Sequence, residues 1–129
     1  RGEDACANYF LKNGIDYERE FHIEGLGRKR FDFKFSYGGR NIVLEFDGEQ
    51  HFKYNKHLQK TEESFLKNQL HDYIKTNMAA ESGYFIIRID YKNLKKIDEH
   101  MDKALESVKM GKDFYFSNEK LYDYIIDKL

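Results

Sequence analysis

Apolar and polar residues alternate most regularly between Arg30 and His51, in two runs separated by Gly38-Gly39. Alternation with a period of two indicates β-strands, and paired glycines between two such runs predict a hairpin with a tight two-residue turn. If the glycines are the loop residues, the register of the hairpin is fixed. The facing pairs on its apolar side are then Tyr37 with Arg40, Phe35 with Ile42, Phe33 with Leu44 and Phe31 with Phe46.

On the polar side of the hairpin, the same register places Asp32 directly opposite Glu45. Like charges that face each other destabilise a sheet, so a bound divalent cation or a shared proton would explain the pair. Asp47 follows two residues after Glu45 on the same side and adds a third carboxylate. The hairpin alone leaves a second interpretation equally open, in which these are solvated charges paired with neighbouring lysine and arginine side chains.

The remaining periodicity predicts helices and strands on both sides of the hairpin. We expect helices over 2–13, 62–82, 92–108 and 118–129, strands over 15–23 and 84–91, and core packing for the aromatic run 114–116. This order predicts an α/β fold with a mixed four-stranded sheet, an αβββαβ core flanked by helices, and extra C-terminal helices. A helical crossover should make the fourth strand parallel to an earlier one.

The composition narrows the classes of protein without choosing one. The chain has 129 residues, which suits a single domain, with the core in about 2–91 and a helical extension over 92–129. Its net charge of −1 does not indicate nucleic-acid binding by itself. One cysteine, Cys6, argues against a disulfide framework or a cysteine-rich zinc site. No apolar run reaches membrane-spanning length, so we expect a cytoplasmic protein or a domain of a longer one.

Two loops carry the local positive charge that a nucleic-acid surface would need. One is the glycine-broken loop 24–30, and the other is the long polar loop 48–61. Their basic residues would contact the phosphate backbone of DNA, although such charge runs are usually only solvated segments. The candidate DNA contacts are Arg28, Lys29, Arg30, Lys53, Lys56 and Lys60.

Further polar residues could join the facing carboxylates in a hydrolytic site. Glu3 lies in the first predicted helix, Gln50 and His51 follow the acidic strand, and Asp72 and Lys75 share one face of the longest helix. Oxygen ligands without thiolates suit Mg²⁺ or Mn²⁺ and metal-assisted phosphodiester hydrolysis. A histidine could take the proton of a water, and a lysine could neutralise phosphate charge. Simpler roles also exist, namely helix-terminus stabilisation for Glu3 and a local ion pair between Asp72 and Lys75.

Five short segments follow one another along the chain, namely Gly2-Glu3, FDF at 31–33, LEFDGEQHF at 44–52, HDYIK at 71–75 and GYFIIRI at 83–89. Taken in this order, they resemble the PD-(D/E)XK nuclease superfamily, and within it the branch of the very short patch repair endonuclease and related phage homing endonucleases. The resemblance covers about residues 2 to 91 and implies a restriction-endonuclease-like fold, a bacterial, phage or viral origin, and a Mg²⁺-dependent or Mn²⁺-dependent DNA endonuclease.

The resemblance also implies roles for individual residues. Asp32, Glu45 and Glu3 would be the metal ligands, His51 the catalytic histidine, and Asp72 the acidic residue of the long helix. The cysteine-built structural zinc site of the repair branch cannot form with one cysteine, so mismatch recognition is not expected.

One departure from the family pattern concerns the lysine expected two residues after Glu45, where this chain has Asp47. From its spacing to Asp72 we infer that Lys75 supplies the displaced positive charge. The general base is then His51 or Lys75, with Gln50 as a further member of the catalytic set.

Two other functions remain open, a binding module without catalysis on the same fold and a nuclease acting on RNA. The missing lysine favours the first of these. Near-zero net charge suggests that target specificity would need an additional DNA-binding domain outside this chain. A double-strand cut by a domain with one site would need a homodimer or two successive events.

Overall fold

The computed structural model describes all residues from Arg1 to Leu129 and shows an α/β fold built on a mixed sheet. The α/β class and the mixed sheet predicted from the sequence are confirmed. The helices are α1 (Gly2–Lys12), α2 (Glu62–Glu81), α3 (Ile97–Lys109) and α4 (Asp123–Ile126), and the strands are β1 (Tyr17–His22), β2 (Arg30–Tyr37), β3 (Arg40–Asp47), β4 (Phe85–Asp90) and β5 (Phe114–Phe116).

The strands lie in the order β1-β2-β3-β4-β5, antiparallel up to β3 and parallel from there on. The crossover through α2 makes β4 parallel to β3, as expected. The sheet has five strands where four were predicted, because Phe114–Phe116 pairs with the outer edge of β4. A run of three aromatic residues is too short to signal a strand, and the unpaired backbone groups of β4 provide its partner.

The hairpin between β2 and β3 has the predicted register. Gly38 and Gly39 have φ of 57° and 77°, the left-handed values that a primed two-residue turn requires. Phe35 pairs with Ile42 and the next facing pair is Phe33 with Leu44, where the regular pairing ends. The two strands therefore diverge just before the position of the two facing carboxylates.

Phe31 does not share the face of Phe33, so the predicted pairing of Phe31 with Phe46 is wrong. Phe33 belongs to the main core under α1 and α3, whereas Phe31 packs with Val43 in a second core on the α2 side of the sheet. The alternation breaks at Asp32, and Glu20 on the neighbouring strand has a φ of 51° at the same level. This local distortion turns one aromatic ring to the polar side of the hairpin.

The C-terminal region of the chain differs most from expectation. The helix predicted over 118–129 is reduced to the short α4, and the helix predicted over 92–108 begins as a 3₁₀ segment, Tyr91–Lys96. Ser117 caps no helix but accepts a hydrogen bond from the backbone N–H of Asp90, at 2.8 Å. The segment after it buries Tyr122 completely and packs α4 against α2.

Candidate active site

Asp32 and Glu45 are in direct contact at the point where β2 and β3 diverge, as the register predicted. The backbone N–H of Asp32 donates to Oε1 of Glu45 (3.1 Å), and the backbone N–H of Phe46 donates to Oδ2 of Asp32 (2.8 Å). Side-chain oxygens of both acids thus receive backbone hydrogen bonds of the opposite strand. The two carboxylates are held in place by the backbone rather than by the long side chains of surface residues.

The environment of Asp32 disfavours its charged form. Burial and the adjacent charge of Glu45 raise the pKa of Asp32 to about 9, although the N–H of Phe46 acts in the opposite direction. The pair therefore holds a proton at neutral pH unless a cation replaces it. The structure thus contains the contact between two facing carboxylates that the hairpin register predicted.

Lys75 of α2 contacts Glu45, one of these two carboxylates. Its Nζ forms an ion pair with Oε2 of Glu45 and lies 4.3 Å from the centre of the Phe31 ring. The break in alternation that turns Phe31 to this side of the sheet thus provides an aromatic surface for the ammonium group. A local ion pair between Asp72 and Lys75 is not formed, since Lys75 is engaged by Glu45.

His51 and Asp72 form a second polar contact. Nδ1 of His51 lies 2.9 Å from Oδ2 of Asp72, and Nε2 of Gln69 donates to the backbone carbonyl of His51 at 3.0 Å. Burial alone would lower the pKa of His51, but the hydrogen bond to Asp72 and the charges of Asp47 and Asp72 raise it above the ordinary value. With Nδ1–H donated to Asp72, Nε2 is the ring nitrogen left to exchange a proton.

Asp47, the third carboxylate predicted on this face, is completely buried and is not an accessible ligand. Nη1 of Arg88 donates to both of its oxygens at 2.8 Å, and the hydroxyl of Tyr122 donates to Oδ2 at 2.7 Å. Its partner is therefore Arg88 on β4 rather than a residue of the hairpin. The sequence signal for this pair was a single arginine within the apolar run 83–89, because a buried guanidinium needs a carboxylate.

Glu3 lies in the first turn of α1 and is only partly buried. The charge of Glu3 contributes to the raised pKa of Asp32. Burial, the charge of Asp32 and then the charge of Glu3 raise the pKa of the Cys6 thiol to about 12. Glu3 is not joined to Asp32 and Glu45 in one ligand set, since no three His, Cys, Asp or Glu side chains form a metal-binding group. The structure brings together two of the three predicted ligands.

A cavity of about 380 Å³ lies between α2 and the loop that follows β3, and no hydrophobic residue lines it. Gln50 and His51 border it from the loop side. The loop is fixed by Gln59, a buried residue that sequence reasoning missed, whose amide donates to the carbonyl of Gln50 at 2.9 Å. A glutamine within a polar loop gives no sequence signal of burial. The other lining residues are Lys29, Asn68, His71, Asp72 and Lys75.

Among the candidate DNA contacts, only Lys29 lines this cavity. Arg30 forms an exposed ion pair with Glu20 at 3.4 Å. The others project from the two loops as exposed side chains that form no ion pair, and they are Arg28, Lys53, Lys56 and Lys60.

Comparisons of the chain with protein-family models, with curated proteins and with solved structures found no match. The resemblance noted in the sequence therefore stays a hypothesis that rests on this chain's own residues. None of the helices combines the length and the apolar character that crossing a lipid bilayer requires.

Proposed function

We propose that the protein is a metal-dependent endonuclease that hydrolyses phosphodiester bonds of DNA, on a fold of the restriction-endonuclease type. The observation that carries this proposal is the partly buried contact between Asp32 and Glu45, together with the ion pair of Glu45 with the ammonium group of Lys75. A carboxylate whose pKa is raised by burial and by a facing carboxylate, as that of Asp32 is, is costly to the fold, and a cation-dependent reaction explains why the pair is kept.

The donor set fits Mg²⁺ or Mn²⁺. Mg²⁺ in phosphoryl-transfer sites is typically held by one or two carboxylates, with water and substrate phosphate filling the other positions. Asp32 and Glu45 supply such a pair, and each carboxylate retains lone pairs beyond those that accept the hydrogen bonds described above. A divalent cation held there would polarise the phosphoryl oxygen and activate a water. Glu3, close enough for its charge to act on Asp32, would enter through a bridging water.

His51 is the proposed general base. It lines the polar cavity, its Nδ1 is held by Asp72, and the hydrogen bond to Asp72 helps to raise its pKa above the ordinary value, which makes it a stronger base. Lys75 stands between the cavity and Glu45 and would stabilise negative charge that develops on the scissile phosphate. Gln50 would orient the phosphate or the attacking water at the loop side of the cavity.

The side chains around the cavity support a phosphate-containing substrate. Lys29, Lys75 and His71 line it, and the exposed basic residues of the two loops extend the positive surface on its outside. Phosphate contacts of this kind give sequence-independent affinity.

The absence of a lysine at position 47 favoured a binding module without catalysis, but the contact of Lys75 with Glu45 supports an intact set of catalytic charges.

The test is cleavage of supercoiled plasmid DNA with Mg²⁺ or Mn²⁺, compared with the same reaction in EDTA. Asp32→Asn and Glu45→Gln should each lower the rate at least ~100-fold, because each removes a charged cation ligand. Asp113→Asn is the matched control, since this exposed carboxylate pairs with Arg40 at the other end of β3. Full activity of Asp32→Asn would overturn the site assignment. DNA binding without cleavage under any of these metal conditions would favour the binding module, and parallel reactions on RNA would test the nucleic-acid preference.

A further inference from the structure

One oxygen of Asp72 receives two hydrogen bonds, one from a residue that precedes it in the chain and one from the C-terminal segment. His51 Nδ1 lies 2.9 Å from Oδ2 of Asp72, and the hydroxyl of Tyr124 lies 2.8 Å from the same oxygen. A carboxylate only accepts, so both groups donate their protons to it. Tyr124 belongs to α4, in the C-terminal segment, and 52 residues separate it from Asp72.

The other oxygen of Asp72 faces an unsatisfied donor. Nη2 of Arg88 is buried without any hydrogen-bond partner and lies 3.8 Å from Oδ1 of Asp72. A buried guanidinium nitrogen left unpaired costs free energy, so a small rotation of the Asp72 carboxylate towards Arg88 would be favourable by itself. The hydroxyl of Tyr124 is the group that opposes this rotation, since it holds Oδ2 on the side of His51.

The same segment supports the surroundings of His51 at a second point. The hydroxyl of Tyr122 donates to Asp47 at 2.7 Å, and Asp47 Oδ1 lies 3.6 Å from Nδ1 of His51. Phe52, the residue after His51, packs with its ring centre 5.0 Å from that of Tyr122 and 6.2 Å from that of Tyr124. Tyr122 and Tyr124 thus bind the two carboxylates nearest to His51, and both rings also pack against Phe52.

We propose that Tyr124 is a positioning residue of the active site: its hydroxyl keeps the Asp72 carboxylate from rotating further towards Arg88 and so fixes His51 with the proton on Nδ1 and Nε2 free. As a positioning role in catalysis, this rests on the proposed nuclease function. As a statement about His51, it depends only on the three side chains in contact. The C-terminal segment, which lies outside the region of family resemblance, thereby becomes a component of the site.

The variant that tests this is Tyr124→Phe, which removes one hydroxyl and keeps the ring against Phe52. Tyr91→Phe is the matched control, because Tyr91 packs on the same Phe52 at 5.9 Å and its hydroxyl forms no hydrogen bond. The primary readout is the ¹⁵N chemical shifts of the His51 ring, measured above the pKa of the histidine, which report the tautomer directly. We expect the Nδ1–H tautomer in the wild type and in Tyr91→Phe, and a mixture of tautomers in Tyr124→Phe.

The second readout is the kinetics of plasmid cleavage. We expect kcat of Tyr124→Phe to fall about 10-fold to 100-fold with KM nearly unchanged, the usual effect of removing a supporting hydrogen bond behind a catalytic residue. A tautomer unchanged in Tyr124→Phe would overturn the proposal, whatever its effect on stability. If the wild type cleaves no DNA but the tautomer changes as expected, the nuclease function fails while the positioning of His51 by Tyr124 is supported.

Discussion

Nζ of Lys75 is paired with Oε2 of Glu45, although 30 residues separate them and they lie on a helix and a strand. The resemblance to PD-(D/E)XK nucleases implies a lysine two residues after Glu45, where this chain has Asp47. In the structure Asp47 binds Arg88 inside the core, and the positive charge beside Glu45 comes from Lys75 of the helix. We propose that Lys75 takes the role of the lysine that the resemblance implies at position 47.

Replacement of Lys75 by methionine tests whether the positive charge beside Glu45 is needed for DNA cleavage. Lys75→Met keeps an apolar stem over Phe31 but removes the ammonium group, so cleavage should fall about 10²-fold to 10³-fold, the effect of losing one preorganised electrostatic donor. Single-turnover kinetics with saturating DNA would separate this from weakened binding. Lys67→Met, on the exposed side of the same helix, should retain wild-type rates. Equal rates for the two variants would show that Lys75 has no catalytic role.

Asp32→Asn should stabilise the metal-free protein. The folded state raises the pKa of Asp32 to about 9, above its ordinary value of 3.8, so folding favours the protonated form. The contribution of Asp32 to the free energy of unfolding is then largest at acidic pH and is lost as the pH rises towards 9. An asparagine is neutral at every pH, so we expect a gain in the free energy of unfolding of up to ~4 kcal/mol at neutral pH, because pH 7 lies about three units above the ordinary pKa and one unit corresponds to about 1.4 kcal/mol.

Urea unfolding in EDTA would measure this gain, with Asp98→Asn as the control, because Asp98 pairs with Lys12 on the surface. Added Mg²⁺ should stabilise the wild type and not the variant. The difference in their free energies of unfolding should therefore disappear or change sign when Mg²⁺ is present. An asparagine variant that is less stable than the wild type in EDTA at neutral pH would contradict the raised pKa of Asp32.

The hairpin and the contact between Asp32 and Glu45 followed from the sequence because they depend on local rules. Two glycines set the turn, the period of two sets the faces, and the register then fixes the facing pairs from Tyr37–Arg40 to Phe33–Leu44. The extents of α2 and of the fully buried strand β4 were also predictable, since Gly83 separates a long helical pattern from a short apolar run.

The other features depend on contacts between distant residues, which no local pattern encodes. The rotation of Phe31 to the face of Lys75 follows from a distortion shared by two neighbouring strands. The pairing of Asp47 with Arg88 could have been anticipated as a need for some carboxylate, but not as a choice between Asp47 and Asp72. The role of Tyr124 was hidden because the C-terminal pattern resembled an ordinary amphipathic helix, whereas its structure is set by what the tyrosine hydroxyls bind.

Arg88→Met should be strongly destabilising. The guanidinium is completely buried and satisfies both oxygens of Asp47, so its removal leaves a buried carboxylate without a cation. The expected loss in the free energy of unfolding is about 3–5 kcal/mol. Arg40→Met, which removes a partly exposed pair with Asp113, should cost under about 1 kcal/mol. The double variant Arg88→Met with Asp47→Asn should recover some of the loss, and no recovery would show that Asp47 is not the group left uncompensated.

The pH dependence of cleavage should report the environment of His51. Burial would lower its pKa, but the hydrogen bond to Asp72 and the charges of Asp47 and Asp72 outweigh burial and raise the pKa above the ordinary 6.5. A general base acts in its neutral form, so the single-turnover rate should rise with pH and level off above a midpoint higher than 6.5. His51→Gln should lower the plateau about 10²-fold to 10⁴-fold and abolish this limb. His57→Gln, an exposed histidine of the same loop, is the matched control.

Asp72→Asn gives this prediction its sharpest form. The variant removes the negative charge that holds the proton on His51, so the midpoint of the pH–rate profile should move to lower pH while the limb itself remains. A neutral amide still offers an oxygen to Nδ1–H, so the histidine can keep its orientation and some of its activity. Direct titration of the His51 ring by NMR, with and without Mg²⁺, would tie the kinetic midpoint to this residue. A midpoint that does not move in Asp72→Asn would assign the limb to another group, with Lys75 as the remaining candidate base.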